Sequence, residues 1–139
     1  MNGIIPALSI VVVTHNRSEL LKRALLSILS CTSDNYEIIL CADDTSQKTF
    51  EVAKDYLRAH DTFLRMPSIK GPAESRNIGA KFARGKWITF LDDDDTFNDG
   101  HISKILNLVP NKNNKVLYFN YKRVIENRET SEVTAKESV

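Results

Sequence analysis

The sequence predicts an α/β fold: a three-layer α/β/α sandwich around a mostly parallel sheet. Two features of the sequence support this prediction. Apolar runs rich in β-branched residues, such as LSIVVV at 8–13 and EIILCA at 37–42, are typical of strands that are buried on both faces. Segments with helical spacing of apolar residues alternate with these runs, and their lengths suit the crossover helices that connect parallel strands.

Three amphipathic helices are predicted between the strands. The first lies in SELLKRALLSILS, where apolar residues recur three and four positions apart and Ser18 is the predicted N-cap. The second follows the strand at 37–42 and the sequence DDTS. Its apolar positions are Phe50, Ala53, Tyr56 and Leu57. The third spans 71–85, with Pro72 in its first turn and Gly85 at its C-terminal end.

The remaining elements complete the alternation of strands and helices. They are a short third strand at 61–66, a fourth strand at 86–91, a fourth helix at 99–108 and a fifth strand at 115–124. We predict one domain over residues 1–125. Residues 126–139 are predicted to be a polar tail or a truncated continuation, because ENRETSEVTAKESV shows no apolar periodicity.

The composition excludes several classes of function. A chain of 139 residues with 42% hydrophobic and 27% charged residues can bury the core of one small domain. Its formal net charge of +1 gives no electrostatic argument for binding nucleic acid or an anionic membrane. No apolar stretch approaches the about 18 residues that a transmembrane helix needs, and the N-terminus lacks the basic region of a signal peptide. Cys31 and Cys41 lack metal-site spacing, and Cys41 is predicted to be a small core residue. A reducing compartment is the simpler prediction, and a disulfide is the alternative.

The main functional signal is the position of three polar clusters. THNR at 14–17, ADDTS at 42–46 and DDDD at 92–95 each follow a predicted buried strand directly. Parallel strands place their carboxyl ends at the same edge of a sheet, and ligands of such folds bind beyond that edge. We therefore predict that the three clusters form one site.

The aspartate run is the most informative of the three clusters. In extended backbone, side chains alternate, so Asp92 and Asp94 are predicted to face one side and Asp93 and Asp95 the other. Two carboxylates on one side suit a hard divalent cation such as Mg²⁺, which fills its other positions with phosphate and water. The alternative is capping of the next helix, whose N-terminus favours anions. Capping accounts for one or two acids but not for four, so metal binding is favoured.

The other candidates carry weaker signals. Asp43 or Asp44 could accept hydrogen bonds from a ribose or a base, although initiating a turn is the simpler role for either residue. Arg76 lies among small residues of the third helix and could pair with a strand-end aspartate, contact a base or remain a solvated surface arginine. A surface or packing role is favoured for His15 over acid–base catalysis. A phosphate-binding P-loop is not predicted, because no GxxxxGK[ST] sequence is present.

These motifs resemble the N-terminal half of the family 2 glycosyltransferases, which have the Rossmann-like GT-A fold. SIVVVTHNRSELLKRALLSILSCT is similar to their opening strand and helix, and YEIILCADDTS to their second strand and its D-D-x-S turn. GPAESRNIGAKFARGKWITFLDDDD resembles the segment that leads into their D-x-D metal motif. The resemblance extends from residue 8 to about residue 125.

The resemblance implies a role for each matched residue. The implied nucleotide-binding residues are Val13, Thr14, Asn16, Asp44, Arg76, Asp92 and Asp93. Asp44 would contact the uracil or its ribose, and Arg76 the base. Asp92 and Asp93 would lie near the ribose and the diphosphate. Asp94, the last residue of the D-x-D motif, would ligate Mn²⁺ or Mg²⁺ together with Asp92.

The sequence also departs from the family pattern. Four positions carry a residue that the family does not usually have there. The family usually has proline where this chain has Val13, an aromatic residue at His15, glutamine near Cys31 and glycine at Thr45. Family members continue well beyond this length, and their acceptor site and general base lie in that continuation. A general base is therefore expected outside this chain, which resembles the nucleotide-sugar half of an enzyme.

The sequence thus predicts a metal-dependent glycosyltransferase, with inversion, that uses a UDP-sugar donor. The resemblance implies a glycan or lipid-linked acceptor, a role in bacterial surface polysaccharide synthesis and a cytoplasmic location, at or near the inner face of the membrane. Self-association through an uncovered sheet edge is left open. The main alternative is a non-catalytic nucleotide- and metal-binding module without the acceptor half.

The residues that follow the first predicted strand disfavour two other classes of protein. A phospho-acceptor receiver domain requires an acidic pair after its first strand, where this chain has THNR. A sugar nucleotidyltransferase requires a glycine-rich basic loop at the same place.

Overall fold

The computed structural model describes residues 3–69, 71–111, 116–126, 130 and 133–138. The elements, in chain order, are β1 (Leu8–Thr14), α1 (Ser18–Leu29), β2 (Tyr36–Ala42), α2 (Gln47–Tyr56), β3 (Thr62–Arg65), α3 (Pro72–Phe82), β4 (Trp87–Asp92), α4 (His101–Leu108), a 3-10 turn (Val109–Asn111), β5 (Lys122–Glu126) and β6 (Val133–Ser138). Among the described residues, no helix is long and apolar enough to cross a membrane.

The centre of the protein is a four-stranded parallel sheet in the order β3-β2-β1-β4. Every residue of β1 and β2 is buried, which confirms that both strands are covered on both faces. Val13 is in register with Cys41 on β2 and with Asp92 on β4. The loops that follow these three strands therefore start at the same edge of the sheet.

Helices cover both faces of the sheet and complete the predicted three-layer fold. On one face, α1, α2 and α4 contribute Leu25, Ala53 and Ile105 to a core with Ile10 and Leu40. On the other face, α3 packs on the central strands. Within the described part of the chain, β4 is an edge strand, and its Ile88 and Phe90 are exposed.

Gly79 sets the distance between α3 and the sheet. A Cβ at this position would lie 2.5 Å from Cγ1 of Val11 and 2.8 Å from Sγ of Cys41, closer than such atoms can approach. The absence of a side chain allows close contact, which places Arg76, one turn earlier on α3, over the carboxyl edge. Cys41 itself is fully buried, and burial raises the pKa of its thiol to about 11. It is a small core residue, as predicted.

A buried carboxylate ties the opposite edge of the sheet to the end of α3. Glu37 accepts hydrogen bonds from Ser9 Oγ at 2.6 Å and from the backbone N and Nε of Arg84, both at 2.7 Å. Burial alone would raise the pKa of Glu37, but the hydrogen bonds and the positive charge of Arg84 outweigh it, and the pKa is lowered.

Two predicted helix starts differ from the structure. Ser18 is the first residue of α1 and not its N-cap, which is Arg17. The Arg17 side chain makes no capping hydrogen bond, because it turns toward the aspartate run. The fourth helix begins at His101, two residues later than predicted, after Gly100 in a left-handed conformation.

The C-terminal region differs most from the prediction. The fifth strand is Lys122–Glu126 and not 115–124, and it pairs antiparallel with β6 in a separate two-stranded sheet. Residues 116–121 form no regular element. Their alternation of apolar and polar residues arises because Leu117 and Phe119 pack against the core. Residue 115 lies outside the described residues.

Residues 126–139 were predicted to be a polar tail or a truncated continuation, and they include the strand β6. Backbone pairing with β5 defines this strand, and a polar sequence does not reveal such pairing. Residues 127–129, 131, 132 and 139 of the predicted tail lie outside the described residues.

Candidate functional site

The three polar clusters predicted from the sequence meet at the carboxyl edge of the sheet. Thr14 Oγ1 donates a hydrogen bond of 2.8 Å to Oδ2 of Asp93. The backbone N of Asn16 donates to Oδ2 of Asp44, also at 2.8 Å. Each of these bonds joins a residue at or just after the end of β1 to one that follows a neighbouring strand. The predicted convergence is therefore a network of direct contacts.

The aspartate run turns sharply at the end of β4. The strand ends at Asp92, and the backbone N of Asp95 donates a hydrogen bond of 3.1 Å to the carbonyl oxygen of Asp92. Because the backbone is no longer extended, the alternation of side chains ends here. Asp92, Asp94 and Asp95 each place a carboxylate oxygen within 4.8 Å of the others. The prediction that Asp95 faces away from Asp92 and Asp94 was wrong.

Asp93 has a different environment from the other three aspartates. Its side chain is fully buried. Oδ2 accepts hydrogen bonds from Thr14 and, at 3.1 Å, from Nε of Arg17. Oδ1 lies 2.6 Å from Nη2 of Arg17. This contact is an ion pair without hydrogen-bond geometry. The implied contact of Asp93 with a ribose or diphosphate stays a prediction, and this carboxylate is already bound within the chain.

Arg17 was not predicted from the sequence as a functional residue. Its Nη1 lies 3.3 Å from Oδ2 of Asp94, so one guanidinium connects the buried Asp93 to the exposed Asp94. The available signal was its position in THNR, as the cation that follows the first strand, opposite four aspartates.

The carboxylate of Asp44 shapes the loop after β2. It is buried and accepts hydrogen bonds from the backbone N of Asn16 and of Ser46, both at 2.8 Å, and from Thr49 Oγ1 at 3.3 Å. Asn16 has a φ of 50°, a left-handed conformation that asparagine tolerates better than most residues. The N-cap of α2 is Ser46 and neither Asp43 nor Asp44, since the Ser46 side chain accepts a hydrogen bond from the backbone N of Thr49. The contact of Asp44 with a base stays a prediction.

Two further pairs complete the edge. Arg76 Nη2 lies 2.6 Å from Oδ1 of Asp92, and about a third of each side chain is exposed (33% and 39%). Of the alternatives weighed for Arg76, the pair with a strand-end aspartate is the one observed. His15 Nδ1 lies 2.6 Å from Oδ1 of Asp43, and its side chain is 62% exposed. This exposure agrees with a surface role.

The cluster of Asp92, Asp94 and Asp95 suits a hard cation. Burial raises the pKa of Asp95, and the negative charges of Asp94 and Asp92 raise it further, so the three carboxylates repel one another. A cation among them would relieve this repulsion. The donors are carboxylate oxygens, which Mg²⁺ and Mn²⁺ prefer to the nitrogen and sulfur ligands of softer metals.

A cavity of about 650 Å³ lies beside the cluster, a size typical of small-molecule sites. Its lining includes Asp94, Asp95, Phe97, His101, Phe119 and Tyr121. His101 packs between two aromatic rings, with centroids 4.9 Å from those of both Phe97 and Phe119. Burial lowers the pKa of His101, and the charge of Lys104 lowers it further, which favours a neutral imidazole.

The sequence matches known proteins over most of its length. The model of the glycosyl transferase family 2 matches residues 9–136. The chain is 26% identical over 131 residues to the Escherichia coli UDP-Glc:alpha-D-GlcNAc-diphosphoundecaprenol beta-1,3-glucosyltransferase WfgD, covering 94% of this chain and 52% of that protein. It is 36% identical over 104 residues to the Campylobacter jejuni GalNAc(5)-diNAcBac-PP-undecaprenol beta-1,3-glucosyltransferase, covering 73% of this chain and 34% of that protein.

The fold also matches a solved structure. TarS 1-349 of S. aureus, in complex with UDP-GlcNAc, superimposes with a TM-score of 0.65 at 22% identity. The match covers 75% of this chain and 31% of that one, and it confirms the predicted fold class. This chain thus spans between about a third and a half of the length of these relatives (34% and 52%).

Proposed function

Because this chain belongs to the glycosyl transferase family 2, we propose that it binds the nucleotide-sugar donor, a UDP-sugar, of a glycosyltransferase. The observation that carries the proposal is the convergence of THNR, DDTS and DDDD at one edge of the sheet, with three carboxylates within 4.8 Å. The proposed nucleotide-binding residues are Val13, Thr14, Asn16, Asp44, Arg76, Asp92 and Asp93.

The carboxylates of Asp92 and Asp94 hold Mn²⁺ or Mg²⁺ in this proposal, and Asp95 lies close enough to join them. A metal held there would neutralise the charge that develops on the diphosphate as the nucleoside diphosphate leaves. Arg76 now pairs with Asp92. Asp92 would help to hold the cation, and Arg76 beside it would face the nucleotide in this proposal.

The nucleotide lies against the loops after β1 and β2. Val13 is buried, with a relative exposure of 6%, so its contact is through the backbone. Asn16 is exposed in its left-handed conformation, and the buried carboxylate of Asp44 holds its backbone N. Asp44 thereby contributes to the nucleotide site by keeping this loop in place as well as through any direct contact.

In the proposed transfer, the acceptor hydroxyl attacks the anomeric carbon of the sugar. A new glycosidic bond forms with inversion, the bond to the diphosphate breaks, and a general base outside this chain takes the hydroxyl proton. A lipid-linked glycan is proposed as the acceptor, since the two relatives described above are named for undecaprenol-linked acceptors. The proposed location is the cytoplasm at the inner face of the membrane, in bacterial surface polysaccharide synthesis.

Calorimetric titration with UDP, with and without Mn²⁺, tests the proposal on the wild type and on Asp94→Ala. We expect UDP to bind the wild type with metal and the variant to lose this binding. Asp99→Ala is the matched control, because Asp99 is an exposed acid of the same loop outside the carboxylate cluster. If UDP binds none of the proteins under either condition, the proposed function is wrong.

The second candidate is a module that binds the nucleotide and metal without turnover. It uses the same carboxylate cluster and the same edge of the sheet as the first candidate, and it differs from that candidate only in turnover. Release of UDP from UDP-glucose in the presence of an undecaprenyl-diphosphate-linked acceptor distinguishes the two. Binding without release supports the module, and release supports the transferase.

A further inference from the structure

Arg17 makes contacts that a solvated surface arginine does not make. Its guanidinium forms a fork with the buried carboxylate of Asp93, with Nε 3.1 Å from Oδ2 and Nη2 2.6 Å from Oδ1. Its remaining nitrogen, Nη1, lies 3.3 Å from Oδ2 of Asp94. The side chain is 47% exposed, so the fork lies between the interior and the carboxylate cluster.

The inner end of this arrangement is fixed in two ways. Asp93 is fully buried and also accepts the hydrogen bond of Thr14, the last residue of β1. Arg17 itself is the N-cap residue of α1. The guanidinium is thus held by a carboxylate that cannot rotate freely and by a backbone that begins a helix.

We propose that Arg17 is a positioning residue for the metal site: it holds one oxygen, Oδ2, of the Asp94 carboxylate and thereby orients that carboxylate for a cation. The inference rests on the proposed metal site of Asp92 and Asp94. Carboxylates that ligate metals are themselves hydrogen-bonded in well-formed sites, and these outer partners orient the ligand. The chain Thr14–Asp93–Arg17–Asp94 supplies such a partner from the protein interior.

The geometry needs arginine and not merely a positive charge. The planar guanidinium holds three nitrogens in a fixed arrangement. Nε donates a hydrogen bond to Asp93, Nη2 forms an ion pair with the same carboxylate, and Nη1 donates to Asp94. A lysine ammonium is a single point charge on a flexible stem. It can pair with Asp93 but cannot hold both carboxylates in this arrangement.

The positive charge of Arg17 also repels a bound cation, which opposes the positioning effect. This repulsion is weakened because about half of the side chain (47%) faces solvent, where charge interactions are screened. It is further offset by the carboxylate of Asp93, which neutralises the guanidinium at a distance of 2.6 Å. Positioning therefore dominates, and loss of the fork weakens metal binding.

Mn²⁺ binding to Arg17→Lys tests the inference, measured by calorimetry and by the loss of the free-ion EPR signal. The control is Arg84→Lys, since Arg84 also pairs with a fully buried carboxylate, that of Glu37, but at the opposite edge of the sheet. We expect the dissociation constant for Mn²⁺ to rise about 10- to 100-fold in Arg17→Lys, the range for loss of an outer partner. Arg84→Lys should stay within about twofold of the wild type, because sites far apart act independently.

Each other outcome overturns the inference. Equal or tighter Mn²⁺ binding by Arg17→Lys would mean that Arg17 does not position Asp94, while the proposed metal site would stand. Equal weakening in both variants would assign the effect to a general loss of stability. If the wild type itself does not bind Mn²⁺, with or without UDP, both the metal site and the role of Arg17 are wrong.

Discussion

Asp95 combines a cost in stability with a benefit in binding. Its pKa is raised in the folded protein by burial and by Asp94 and Asp92, so its ionised form destabilises the fold at neutral pH. Because the folded pKa lies above the unfolded one, stability is gained as the pH falls through the folded pKa. The same repulsion makes the cluster attractive to a cation.

The variant Asp95→Asn should therefore be more stable than the wild type without metal. We expect a small gain at pH 7, about 0.5 kcal/mol or less, because solvent screens the partly exposed group. The melting temperature of the metal-free protein at pH 7 measures it, with Asp99→Asn as the control. Mn²⁺ affinity should fall in Asp95→Asn, and a lower melting temperature without metal would contradict the argument.

Glu37 shows the opposite linkage between charge and stability. Its folded pKa is lowered, so its contribution is present above the unfolded pKa and is lost as the pH falls through the folded pKa. Glu37→Gln should cost about 1–3 kcal/mol at neutral pH, since a buried hydrogen-bonded charge is removed.

Urea denaturation of wild type and Glu37→Gln at pH 7 and near pH 3 checks this expectation. The midpoints should differ at pH 7 and approach each other in acid. Glu51→Gln, at an exposed position of α2, should match the wild type at both pH values. A difference between wild type and Glu37→Gln that persists unchanged in acid would contradict the role of the ionised carboxylate.

At the scale of elements, the contact between α3 and the sheet determines where Arg76 lies. Gly79→Ala should lower the free energy of unfolding by about 1–3 kcal/mol, the cost of overpacking a filled core. A methyl group there would meet Val11 at 2.5 Å and Cys41 at 2.8 Å, so the helix must move. Because Arg76 is on the same helix, its pair with Asp92 should weaken too.

Chemical denaturation of Gly79→Ala measures the loss of stability, and UDP titration measures the effect on the site. The control is Asn77→Ala, an exposed position of the same helix, for which helix propensity predicts no loss. Wild-type stability in Gly79→Ala would show that α3 does not depend on this close approach.

At the scale of the whole molecule, binding at the carboxyl edge should be visible as global stability. Ligands that bind only the folded state stabilise it by an amount set by mass action, about 2.7 kcal/mol at 100 times the dissociation constant. UDP with Mn²⁺ should raise the melting temperature of the wild type but not of Asp94→Ala. Equal shifts for both proteins would place the binding elsewhere.

The features that could be predicted from the sequence are those that depend on residues close together in the chain. The buried strands were predictable because runs such as LSIVVV suit strands that are covered on both faces, whatever their neighbours. The structure of residues 116–126 could not be predicted in this way. Apolar alternation there indicated a strand, but Leu117 and Phe119 use it to pack on the core, and the pairing of β5 depends on the polar β6.

The sequence by itself determined the parallel sheet, the order of its helices and the edge at which the polar clusters gather, because these depend on local hydrophobic patterns and on chain direction. Only the tertiary structure decided the role of each carboxylate. Asp93 turned inward to Thr14 and Arg17, Asp95 joined the cluster through a turn, and Asp44 was bound by the loop after β1. These roles depend on partners that lie as many as 79 residues away in the chain. Because the aspartates are chemically identical, the sequence alone does not distinguish their roles.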